Sequence, residues 1–196
     1  MSKIAVFPDA AAMLADMEKS VPTHNYIGTI AELTLPSATL ETALFPAAAL
    51  DYYSALNLGE IDAANPQHAA LTAAWYSPAR GGPQGDYREG MPAKVANVVD
   101  ALRRFPRTKR AVLTVPQRNV SHEVDADAKC LRELHFWEGE GDGRLHCSGF
   151  MRAQACSIFP KNIHFIATLL ERVARAAGKQ PGSYTHCVTT LTSGRE

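Results

Sequence analysis

Residues 130–168, CLRELHFWEGEGDGRLHCSGFMRAQACSIFPKNIHFIAT, decide the fold. They read as strand, hairpin, strand, turn and helix. Cys130 to Trp137 alternates, which predicts Cys130, Arg132, Leu134 and Phe136 on one face of a strand and Leu131, Glu133, His135 and Trp137 on the other. EGEGDG, residues 138–143, supplies the glycines of a hairpin loop. Arg144 to Gln154 is the return strand. Beyond Pro160, the residues Ile163, Ile166, Leu170, Val173 and Ala177 form the apolar stripe of a strong helix, and Gly178 ends it.

Upstream, residues 8–19 read as a short helix and 26–35 as a β-rich strand that Pro36 stops. Residues 44–56 form an Ala-rich helix in which Tyr52 and Tyr53 read as core. Asn65 caps and Pro66 opens a helix running through Ala74. SPARGGPQGDYREG, residues 77–90, is rich in Gly, Pro and charge and reads as a loop. Its Arg80 and Arg88 read either as solvated cations or as phosphate contacts, but no Gly-Lys-Ser/Thr follows to make a P-loop. From Pro92 to Arg104 the pattern is amphipathic, with Val95, Val98, Val99 and Leu102 on one face and Pro106 as the stop. A strand over 111–115, a polar connection over 117–129 and a last strand over 183–191 complete the pattern. Five strands with helices irregularly between them predict a single α+β domain over 1–196, and no Gly-x-Gly-x-x-Gly argues for a dinucleotide fold.

Composition narrows the functional classes. Forty-six per cent of the 196 residues are hydrophobic, enough for a sizeable core. A formal net charge of zero gives no support to a nucleic-acid polymer as partner. No apolar run approaches the roughly 18 residues of a membrane span, and the N-terminus is a poor signal peptide. Cys130, Cys147, Cys156 and Cys187 are widely spaced, as expected of reduced thiols in a cytoplasm. The pairs His146-Cys147 and His186-Cys187 raise a zinc site as an alternative, although neither has ligand spacing. Arg103, Arg104, Arg107, Lys109 and Arg110 form the densest positive run, open between a solvated face and an anion site.

Three segments, in order, resemble the thymidylate synthase and pyrimidine-nucleotide hydroxymethylase family. In KVANVVDALRRFPRTKRAVLTV, residues 94–115, Asn97, Val98, Val99 and Asp100 match a family helix, and Lys109-Arg110 stands where the family has Arg-Arg. The family nucleophile lies in Pro-Cys-His-x-x-x-Gln-Phe. Here Cys130 and Phe136 match, with Lys129, Leu131 and His135 in place of the Pro, the His and the Gln. In FMRAQACSIFPKNI, Arg152, Pro160, Asn162 and Ile163 match a family segment, one residue shorter between Arg and Asn. The family's ribose-binding Asp-x-His-x-Tyr is replaced by Thr190, Thr192 and Gly194, and its folate-closing tail is missing. These matches lie within residues 94–190, about half the chain.

The resemblance implies a mixed sheet with packed helices. It implies a transferase that forms a carbon–carbon bond at C5 of a pyrimidine nucleotide, by methylation or hydroxymethylation, with methylenetetrahydrofolate as carbon donor. Cys130 would add to C6 of the ring as a thiolate. Arg152 would hold the phosphate. Asn162 would read the base, its amide suiting uracil better than cytosine. His135 would bond the base or nucleotide, or sit in the core. Lys109 and Arg110 would reach the nucleotide of a partner subunit, so a homodimer with shared sites is expected. From the residues alone, Cys156 rivals Cys130 through its closeness to Arg152, and Asn162 reads equally as a plain helix-start residue. Two alternatives remain: another heterocyclic or phosphorylated substrate, and a nucleotide-binding homolog without catalysis.

Overall fold

Two long strands carry the sheet. β5 (Arg144–Ala155) and β6 (Gln180–Thr192) run parallel at its centre, joined through α6 (Phe159–Ala176). The computed structural model describes residues 4–62, 64–105, 107–116 and 129–194, with backbone alone at 83 and 84. The other strands are β1 (Ala5–Phe7), β2 (Thr23–Ile30), β3 (Val112–Thr114) and β4 (Leu131–Glu138). They make one six-stranded mixed sheet in the order β1-β2-β6-β5-β4-β3. The β1–β2 and β5–β6 pairs are parallel and the others antiparallel. The domain is α+β, as the irregular succession of strands and helices predicts.

α6 is the buried spine. Ile163, Phe165, Ile166, Leu169, Leu170 and Val173 are each no more than 1 % exposed. Burying each such side chain contributes about 1.5–3 kcal/mol. Gly178, at φ 72°, takes the left-handed conformation that ends the helix and that other residues resist. Around α6, on the same side of the sheet, lie α1 (Ala10–Ser20), α2 (Leu35–Ala38), α3 (Ala47–Asn57), α4 (Pro66–Trp75) and α5 (Met91–Arg104). Asp9 caps α1 by accepting from the Ala12 amide at 2.8 Å, and Asn65 caps α4 by accepting from Gln67 at 2.9 Å.

The other face of the sheet carries no helix among the described residues. Ile27, Cys187, Phe150 and Glu133 form one cross-strand row on it, and Val6, Thr29, Thr185, Ser148, His135 and Val112 the next. Ile27 and Phe150 are 44 % and 42 % exposed. Among the described residues no helix is long and apolar enough to cross a membrane.

Four expectations are corrected. A bulge between Leu131 and Glu133 puts Leu131 on the buried face with Leu134 and Phe136, against simple alternation. Pro36 does not stop β2. It sits in the first turn of α2, which Thr34 and Ser37 cap reciprocally. β1 was not expected at all. The stretch over 77–90 is not a solvated loop: it folds into two short 3-10 turns, Pro78–Arg80 and Gly82–Gly85, and buries Gly81, Gly85 and Tyr87. Pro106 and the polar connection over 117–128 lie outside the described residues.

Candidate functional site

The strand ends that carry Cys130 and Arg152 are tied together. The Arg152 amide donates to the Cys130 carbonyl at 2.9 Å, and its guanidinium Nε donates to the Lys129 carbonyl at 3.3 Å. Arg152 thus grips the turn presenting Cys130 through both main chain and side chain. From the other side, the Leu131 amide donates to the Tyr87 hydroxyl at 3.4 Å. Cys130 is partly exposed, while Cys156 is 3 % exposed and off the cleft. Burial pushes the thiols of Cys147, Cys156 and Cys187 up, which leaves them protonated and poor nucleophiles.

Beside Cys130 opens a cleft of about 270 Å³. One wall is the 77–90 segment, through Gly81, Gly85 and Tyr87. The end of β5 gives Arg152, Ala153 and Ala155, and α6 gives Lys161. Thr190, Thr192 and Gly194 close the far side. Ala153 pairs with Thr190 and Ala155 with Thr192, so the parallel register sets these side chains in step on one face. Cys130, Arg152 and the Thr190–Gly194 segment, far apart in the sequence, therefore meet at one place.

Lys161 was not expected here. It lies in the first turn of α6 and is only 1 % exposed. Its ammonium sits 4.2 Å from the centre of the Tyr53 ring, a cation–π contact. It also lies against the backbone of the 77–90 segment. A Cβ at Gly81 would come within 2.0 Å of the Lys161 Nζ, and one at Gly85 within 2.3 Å. Gly81, at φ 120°, favours glycine through its backbone, while a side chain at Gly85 would have to push the end of the lysine aside. The segment is pinned by Tyr53, which donates to the Gly85 carbonyl at 2.8 Å, and by Asn57, whose Oδ1 accepts from the Tyr87 amide at 2.5 Å. Burial pushes the Tyr53 and Tyr87 phenols up, so both remain neutral.

The remaining candidates lie elsewhere. Asn162 is 2 % exposed and does not line the cleft. Its Nδ2 donates to the Gln154 Oε1 at 2.9 Å, and its Oδ1 lies 3.4 Å from the Tyr53 hydroxyl, whose proton goes to the Gly85 carbonyl. His135 is on the helix-free sheet face, 3.1 Å from Glu133, in a second cleft with Lys109, Arg107 and Trp137. Arg110 is exposed. The two clefts share no lining residue. Arg80 donates to the carbonyls of Leu44 and Trp75, and Arg88 pairs with Asp86 at 3.1 Å. In the basic run, Arg103 donates to the Ala176 carbonyl and Arg104 to Asp100, both at 2.8 Å. No group of three His, Cys, Asp or Glu able to hold a metal occurs among the described residues.

No protein-family model matches the chain, and no curated protein matches it in sequence.

The signal for Lys161 is faint in the sequence. A lysine in the first turn of an amphipathic helix ordinarily points to water. Only the glycines of the 77–90 segment hint that something occupies the space over them.

Proposed function

We propose that the protein binds a pyrimidine nucleotide in the Cys130 cleft and activates C5 of the ring through a thiolate adduct at C6, as a diverged relative of thymidylate synthase. One observation carries the reading. Cys130 and Arg152, which the resemblance assigns to a single substrate site, line one cleft, together with the Thr190–Gly194 segment that stands where the family's ribose motif is lost.

The chemistry follows from those groups. The Cys130 thiolate adds to C6, and the electron pair of C5=C6 moves through C4 to the carbonyl oxygen. The resulting enolate makes C5 nucleophilic towards a one-carbon electrophile. Arg152 supplies a guanidinium to the phosphate and holds the nucleophile's turn. Thr190 and Thr192 stand in place of the family's ribose-binding residues, with the Thr192 hydroxyl donating to the Gly194 carbonyl at 2.9 Å. Methylenetetrahydrofolate, the implied donor, finds no fit among the described residues. Tyr87 is the one aromatic ring lining the cleft and is 2 % exposed, so it offers no face to a pteridine. What the chain's own residues support is C5 activation.

A homodimer belongs to the proposal. The exposed Ile27, Phe150 and Trp137 on the helix-free sheet face give it apolar area to cover. Lys109 and Arg110, outside the cleft of their own chain, are then available to the partner's. The four cysteines form no disulfide, in keeping with a cytoplasmic protein.

A second reading, another oxo-heterocycle as substrate, is favoured by the tied amide of Asn162. The test is incubation with dUMP, UMP, dCMP and CMP in D2O while the C5 proton is followed by NMR. Exchange is expected with the wild-type protein and is abolished in Cys130→Ser. Binding without exchange in any nucleotide would leave a non-catalytic binding protein. Absence of both binding and exchange would remove pyrimidines from consideration.

A further inference from the structure

Lys161 has no counterpart in the motif matches, yet it is the one lysine among the described residues that is both buried and lining the Cys130 cleft. Burying an ammonium is costly unless its surroundings compensate. Here a whole segment is shaped to it: two glycines leave it space, Tyr53 stacks its ring beneath it, and Tyr53 and Asn57 hold the segment in place. Its neighbour Asn162, the expected reader of the base, is 2 % exposed, lies off the cleft and donates its amide to Gln154.

We propose that Lys161, and not Asn162, reads the substrate ring, donating from its ammonium to a ring carbonyl oxygen and selecting an oxo ring over its amino counterpart. The inference rests on the nucleotide reading above and names the group that gives it specificity. An ammonium has three donors and no acceptor, so it matches the C4 oxygen of uracil and opposes the C4 amine of cytosine. The same oxygen gains charge in the reaction. As the Cys130 Sγ–C6 bond forms, the C5=C6 pair becomes a C4=C5 double bond and the C4–O pair moves onto oxygen. A fixed cation beside that oxygen stabilises the adduct more than the free ring. Solvent then delivers a proton to C5. Loss of the original C5 proton and expulsion of the thiolate restore the C5=C6 bond, and no oxidant or second substrate is needed.

The test compares UMP and CMP with wild type and Lys161→Met, which keeps the buried stem and removes the charge. UMP affinity is expected to fall by about tenfold or more while CMP affinity changes little. C5 exchange on UMP is expected to fall by about a hundredfold or more. A folded Lys161→Met that keeps both the preference and the exchange rate overturns the role of Lys161 and leaves the nucleotide reading standing. So does a wild-type preference for CMP. A wild-type protein that neither binds nor exchanges either nucleotide overturns the reading beneath it. If Lys161→Met fails to fold, Gly85→Ala displaces the ammonium without removing it, because the new Cβ would stand 2.3 Å from Nζ. The UMP preference is then expected to shrink, and an unchanged preference overturns the inference.

Discussion

The cleft at Cys130, about 270 Å³, is smaller than the cleft at Lys109, about 390 Å³, and both contain cations. They differ in how those cations are held. At Cys130, Lys161 is 1 % exposed against two glycines at which a side chain would displace its ammonium, and Arg152 is bonded to the turn it shapes. At Lys109, the cations and His135 lie at the edge of the sheet, with His135 bonded to nothing deeper than Glu133. The first arrangement is preorganised, so it costs little further ordering when a ligand arrives. The second can serve a ligand only if something else completes it.

The sharpest way to break that contrast is to remove Arg152. Arg152→Ala deletes the guanidinium facing the cleft and the bond to the Lys129 carbonyl. Loss of a charge-assisted contact of this kind costs about 1.5–3 kcal/mol, or roughly ten- to a hundredfold in nucleotide affinity. Titration calorimetry reads it directly. Arg152→Lys should recover only part, since it keeps charge and loses the planar fork. Unchanged binding in Arg152→Ala would take the residue out of the site.

The next test asks whether the second cleft is completed by a partner. Sedimentation should show a dimer at micromolar concentration. A Cys130→Ser chain keeps the basic pair, and a chain with Lys109→Ala and Arg110→Ala keeps the nucleophile. Each alone should be weak in exchange. Mixed and allowed to reassort, half of the dimers are hybrids with one complete site, so roughly a quarter of wild-type activity should return. A monomer, or no recovery on mixing, would place the basic pair outside the function.

The same contrast shows why the sequence disclosed some elements and hid others. α6 was legible because its stripe of Ile163, Ile166, Leu170 and Val173 keeps one helical period over about three turns, although the first half of the helix is buried on every side. β5 and β6 were legible for the matching reason in strands. β1 is three residues long and is made a strand by its parallel pairing with β2, a long-range cause with no local pattern. The bulge at Leu131–Glu133 reversed the expected face of Leu131, because alternation counts residues and a bulge adds one. In the site, Cys130 and Arg152 were legible from residue type and position. Lys161 was not, since the groups that bury it come from the 77–90 segment, remote in sequence and itself taken for a solvated loop.

His135 gives the smallest effect and tests the boundary between the two clefts. The sequence leaves it between a base contact and the core; it lies on the helix-free face, with its side chain 49 % exposed and Glu133 at 41 %. An exposed pair of this kind contributes about 0–1 kcal/mol, and removing it should leave folding stability within about 0.5 kcal/mol. His135→Ala should also leave nucleotide affinity within about twofold, because an exposed residue outside the cleft loses no contact with the ligand. Its row, from Val6 to Val112, crosses the face proposed for dimerisation. Any measurable effect should therefore appear in the concentration dependence of sedimentation. A tenfold loss of nucleotide affinity with the dimer intact would return His135 to the substrate and merge the two clefts into one site.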